Sequence, residues 1–149
     1  MRWFHVDRFE VLEKNKYARA VKCSTLGEDH LQDHFEGFPI VPSALIIESM
    51  AQTAGVLAGF TYDFAKNVIL AKVEKAEFPI MVRPGDKMVI EAWIDEIKPE
   101  GCWTHSRITV DGRVAAAASI IFVHLEDALP ESFVFTDTLL GLLKTSGVI

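Results

Sequence analysis

Cysteine is scarce in this chain: Cys23 and Cys102 stand far apart, with no CxxC pair and no histidine at a zinc-finger interval. That spacing excludes a disulfide framework and a zinc finger, and both thiols are read as reduced, packing residues of an intracellular, cytoplasmic protein. Positive charge is not in excess either, since 15 Lys and Arg stand against 21 Asp and Glu, a net charge of −6. A general nucleic-acid binder needs a basic stripe, so no nucleic-acid partner is expected. Repeats and low-complexity linkers are missing. The opening "MRWFHVDRFE" has charges at Arg2, Asp7, Arg8 and Glu10 with no apolar run behind them, which is not the pattern of a signal peptide.

Half of the 149 residues are hydrophobic and 24% are charged, the balance of one globular unit with a real core. One stretch, "FPIVPSALIIESMAQTAGVLAGF" at residues 38–60, is about as long as a membrane span. Glu48 and Gln52 sit at its centre, where an acid costs about 2.5–3.5 kcal/mol in a bilayer. Pro42 also shortens the possible helix. A buried core helix is therefore expected, not membrane insertion.

The flanking pattern supports that reading. "WFHVDRFEVLE" and "KYARAVKCST" alternate around Lys14-Asn15-Lys16, predicting an N-terminal hairpin. Residues 26–41 are irregular, broken by Gly27, Gly37 and Pro39. A helix is predicted from about Pro42 to about Gly59. Strands follow, with breaks at "VRPGD" and Pro99-Glu100-Gly101 and a type I′ hairpin signal at Asp111-Gly112. Hairpin, apolar helix, then three or four antiparallel strands predict an α+β arrangement, an antiparallel sheet wrapped around a central helix. Ala44, Ala51, Ala54, Gly55, Ala58 and Gly59 would let a curved sheet approach that helix closely.

Within this frame His34, Phe35, Pro39, Pro42, Leu45, Glu48 and Gln52 keep a fixed spacing of zero, one, five, eight, eleven, fourteen and eighteen residues. These residues in this order resemble the signature of the hotdog-fold 3-hydroxyacyl-[acyl-carrier-protein] dehydratases of the FabZ type. "HVDRFEVLE", "AEFPIMVRPGDKMVIEAW" and "VDGRVAAAASIIF" extend the resemblance over residues 3–124. Two positions depart from it: Glu36 stands where the family has Pro, and Ser43 where it has Gly.

The resemblance implies a lyase that removes water from a 3-hydroxyacyl thioester. The chemistry suits the residue types: a neutral imidazole can take the C2 proton, and a carboxyl among apolar side chains can hold a proton for the leaving hydroxyl. His34 is the implied base and Glu48 the implied acid. Pro42, Ser43, Phe35 and Gln52 are the implied substrate-binding positions, with the Ser43 amide at the helix start polarising the thioester. The substrate is expected on the phosphopantetheine of acyl carrier protein, with no metal or redox cofactor. A homodimer that shares its sites between chains, alone or within a trimer of dimers, is implied too.

Other readings stay open at this level. A hotdog acyl thioesterase would need an activated water or a carboxylate nucleophile, and a non-catalytic acyl-binding scaffold would accommodate Ser43 and Glu36. His30 and His34, four apart beside Asp33, lack a third ligand set for a metal. His5, His105 and His124 read as ordinary strand or surface residues. Arg83, Lys87, Lys72 and Lys75 form either a landing patch for an acidic carrier or a solvated edge. The hotdog unit is expected to span 1–125. The extension 126–149 is expected to carry an amphipathic helix with Thr136 or Asp137 as N-cap, a Leu139-Leu140-Leu142-Leu143 face and Gly147 as its stop.

Overall fold

The computed structural model describes residues 4–126 and 136–149. Its elements run β1 (Arg8–Glu13), β2 (Tyr17–Cys23), a short 3-10 turn (Asp29–Leu31), α1 (Ser43–Phe60), β3 (Asn67–Glu77), β4 (Lys87–Lys98), β5 (Gly101–Val110), β6 (Arg113–Leu125) and α2 (Thr136–Ser146). The six strands form one sheet in the order β1-β2-β4-β5-β6-β3, and every neighbouring pair is antiparallel. This is the hotdog fold, with α1 held against β2 to β6.

Short connections set the register. Asn15 turns β1 into β2 with a φ of 62°, and Asp111 and Gly112, at φ 49° and 75°, both adopt the positive angles that the β5–β6 turn demands. The strands alternate as half-buried strands should: in β5, Cys102, Thr104, Ser106 and Ile108 point inward. They meet Met50, Ala54, Leu57 and Ala58 of α1 in one core. Among the described residues α1 is the helix long and apolar enough to cross a membrane, yet over half of it is buried inside this chain. Its apolar character is explained by the sheet around it.

The C-terminal helix joins the same core. Leu143 is fully buried, and Leu139, Leu142 and Val148 pack beside it. The helix stops in a Schellman motif: Gly147, at φ 71°, donates to Lys144 O at 3.0 Å, and Val148 donates to Leu143 O at 3.3 Å. That is the stop expected from the sequence. The side chains of Thr136 and Asp137, named as N-cap candidates, lie outside the described residues. Cys102 is buried as expected, whereas Cys23 is exposed at the end of β2 and is not a packing residue.

Candidate active site

The segment that carries His34 is folded onto itself before α1 begins. Phe35 and Phe38 exchange backbone hydrogen bonds at 3.1 and 2.9 Å, a tight turn that Gly37 permits with a φ of 73°. Ile40 N–H donates to His34 O at 2.9 Å, closing the loop. The His34 ring then lies against Phe35, with centroids 4.2 Å apart. Its Nδ1 is 2.9 Å from Ile40 O. A carbonyl oxygen only accepts, so Nδ1 carries the hydrogen, and Nε2 keeps a lone pair for a proton. That is the tautomer a general base requires.

Glu48 comes from the first half of α1 and is half-buried. Gln52, one turn further on, donates from Nε2 to Glu48 Oε1 at 2.9 Å. The Gln52 carbonyl is in turn fixed, because the backbone N–H of His5 donates to Gln52 Oε1 at 2.9 Å. With its oxygen so engaged, the amide can offer Glu48 only a donor. Oε1 of Glu48 is held as an acceptor, and Oε2 is left for a ligand.

The start of α1 supplies further donors. Leu45 and Ile46 N–H both turn to Pro42 O, at 2.9 and 3.1 Å, and Pro42 has no N–H of its own. The amides of Ser43 and Ala44 lie ahead of the helical ladder, at the electropositive end of the helix, with the Ser43 side chain exposed. Phe35, Phe38 and Met81 are large apolar residues exposed by 54%, 47% and 59%. They lie near the His34 loop, which the bond from Val41 N–H to Val82 O at 2.8 Å ties to the 78–83 segment.

The sequence-predicted residues are thus placed in two groups. Glu48, Gln52, Pro42 and Ser43 share the first turns of α1, while His34 and Phe35 belong to the preceding loop. His34 is bonded to Ile40 and Glu48 to Gln52, with no hydrogen bond between the two candidate groups. His124 is a strand residue of β6, as expected, and is buried at 8% exposure, whereas His5 precedes β1 and at 6% exposure is neither a strand nor a surface residue. Burial lowers the pKa of both. His5 was missed as a site residue because its contact to Gln52 is made by the backbone across 47 positions, which leaves no mark on residue type. The basic positions are less free than they read: Lys72 pairs with Glu74 at 3.5 Å, Lys75 with Glu77 at 3.1 Å, and Arg83 lies over the Phe38 ring at 4.9 Å.

Comparison with known proteins identifies the family. Residues 5–119 match the FabA-like domain. The chain is 36% identical over 123 residues to the 3-hydroxyacyl-[acyl-carrier-protein] dehydratase FabZ of Caldanaerobacter subterraneus subsp. tengcongensis, covering 82% of this chain and 87% of that one. It is 38% identical over 120 residues to the FabZ of Oenococcus oeni, covering 79% and 86%. Among solved structures, a Streptococcus mutans protein bound to acetyl CoA superposes with a TM-score of 0.70 at 13% identity, covering 84% of this chain and 93% of the other. The chain belongs to the FabA-like family, and within it to the FabZ-type 3-hydroxyacyl-[acyl-carrier-protein] dehydratases.

Proposed function

We propose that this protein removes water from 3-hydroxyacyl thioesters carried on acyl carrier protein, giving trans-2-enoyl thioesters in fatty-acid or related acyl-chain synthesis. The observation that carries the reading is the complementary preparation of two side chains. His34 is held in the tautomer that accepts a proton, and Glu48 is held with one oxygen occupied and the other available. Nε2 of His34 takes the C2 proton, the electron pair forms the C2–C3 double bond, and the C3 hydroxyl leaves as water with the proton of Glu48. The amides at Ser43 and Ala44 stabilise the enolate-like charge on the thioester oxygen. Pro42 and Phe35 wall the thioester, and Gln52 aims the acid. Atoms balance with no metal or redox cofactor: the substrate loses one hydrogen and one hydroxyl.

Each site is read as shared between two chains. His34 and Glu48 make no hydrogen bond to each other within one chain, and the exposed Phe35, Phe38 and Met81 would give a second copy an apolar surface to cover. The acyl group arrives on the phosphopantetheine arm of acyl carrier protein, and the protein works in the cytoplasm as a homodimer or a trimer of dimers. Residues 1–125 act as the catalytic unit and 126–149 as an extension that braces it.

The test measures enoyl product directly. His34→Ala and Glu48→Gln should each lose about 10² to 10⁴-fold in turnover while remaining folded. Mixed under conditions that exchange subunits, the two inactive proteins should regain about a quarter of wild-type activity, since half the dimers are mixed and each carries one intact site of two. Free acid as the product would point to thioester hydrolysis instead. No recovery despite confirmed exchange would place each site within a single chain.

A further inference from the structure

The segment that precedes β1 is seated in the fold by contacts of its own. Val6 is part of the core at 3% exposure, and the His5 side chain is buried as well. Asp7 N–H donates to Val21 O at 2.8 Å, and Asp7 Oδ2 accepts the Cys23 N–H at 2.7 Å. Residues 5–7 are thereby strapped to the end of β2. From this strap the His5 N–H reaches across to α1 and donates to Gln52 Oε1 at 2.9 Å.

A primary amide has two unlike ends, and this contact decides how Gln52 is turned. A main-chain N–H can only donate, so the carbonyl oxygen of Gln52 is the end that faces His5. The NH2 group is then presented to Glu48, and it donates to Oε1 at 2.9 Å. A half-turn of the amide would set two donors face to face at His5. It would also offer Glu48 a carbonyl, a partner that draws the carboxyl proton onto Oε1 to complete a hydrogen bond. Held as it is, Oε1 accepts from the amide, and a proton on Glu48 resides on Oε2.

Building on the dehydratase reading, we infer that residues 5–7 are a positioning strap for the acid. The main-chain N–H of His5, acting through Gln52, keeps the proton of Glu48 on the oxygen that gives it to the leaving hydroxyl. His5 is a positioning residue here, and the feature that matters is an N–H that every residue but proline supplies. With that N–H gone, substrate still binds, but part of the acid holds its proton toward the amide. The loss therefore falls on kcat and not on KM.

Two measurements test this. The first compares kcat and KM for a 3-hydroxyacyl-acyl carrier protein in His5→Ala, which keeps the N–H, and His5→Pro, which lacks it. His5→Pro should turn over about five- to tenfold more slowly than His5→Ala, the worth of one hydrogen bond, with KM within about twofold. In a Gln52→Leu background the gap should close, because the two positions act as one unit. Equal turnover of the two variants, or a gap that persists without Gln52, overturns the proposal.

The second needs neither turnover nor a variant at position 5: hydrogen exchange of the His5 amide is followed in wild type and in Gln52→Leu. Loss of the acceptor should speed exchange at His5 by at least about tenfold, while the Asp7 amide, bonded to Val21 O, keeps its protection. Unchanged protection at His5 means that Gln52 does not hold this N–H, and the proposal fails. If wild type forms no enoyl product, the dehydratase reading is what fails, and the exchange comparison still decides whether the strap holds Gln52.

Discussion

The two edges of the sheet have been treated in opposite ways. β1 is 6 residues long and bulged between Phe9 and Val11, and α2 packs against it. Ser146 Oγ accepts the Phe9 N–H at 3.1 Å, and Leu143 carries the helix into the core. β3 is 11 residues long and pairs with β6 on one side, with no strand on the other among the described residues. An open edge of that length is a template for another strand. One edge is closed by the chain's own helix, and the other carries no further strand among the described residues, which suits it to the second copy proposed above.

The sharpest way to break that comparison is to block the open edge alone. Register shifts between Leu70 and Lys72 and between Val73 and Lys75 leave Ala71 and Glu74 without partners on β6. A proline at such a bulge spares the β6 ladder while blunting the outer edge. Glu74→Pro should therefore give a folded monomer, seen by light scattering, with turnover down at least about 100-fold because each site lacks a partner's group. An active monomer would show that the edge has no part in the site.

Opening the closed edge should instead cost stability. Leu143→Ala removes a fully buried side chain and is expected to lower unfolding free energy by about 2–5 kcal/mol in urea titration, with the subunit count unchanged. A change near zero would mean that α2 only rests on β1.

The two sides should also respond to acid in different ranges. His124, opposite Val68 near the start of β3, has its pKa lowered from 6.5 by burial, with Lys66 acting the same way. The unfolded chain takes up that proton first, so this contribution is complete above about pH 6.5 and declines below it. His5 acts in the same sense. On β1, the hydrogen bond from Arg8 lowers the Glu10 pKa below 4.5, so its contribution holds above about pH 4.5 and is lost only as pH falls further. Hydrogen exchange between about pH 6.5 and 5 should therefore loosen the Val68 end of β3 and the residues around His5 before the Glu10 stretch of β1. The smallest effect is expected from Ser146→Ala, about 0.5–1.5 kcal/mol, for the lost acceptor of the Phe9 amide.

Much of this could be read from residue order, and what could not has a common cause. The hairpins, the span of α1 and the Gly147 stop are local: each follows from a few adjacent residues whose backbone preferences agree. The pairing of Glu48 with Gln52 was legible because i,i+4 places both on one helix face, and His34 enters the proposed site through the fixed spacing that carries the family resemblance. His5 was not, since a backbone donor carries no residue signature. Nor was the burial of His124, because strand alternation alone does not say which face is covered. The seat of α2 on β1 depends on Ser146 meeting Phe9 across 137 positions, which no local pattern encodes.

The Gln52 clamp has one further consequence. A free carboxyl group is symmetric, with two interchangeable oxygens. Here Oε1 faces an amide donor that His5 prevents from flipping, so Glu48 becomes a handed tool with one working face. On the dehydratase mechanism proposed above, the C3 hydroxyl would meet the one oxygen of that carboxyl that Gln52 leaves unbonded.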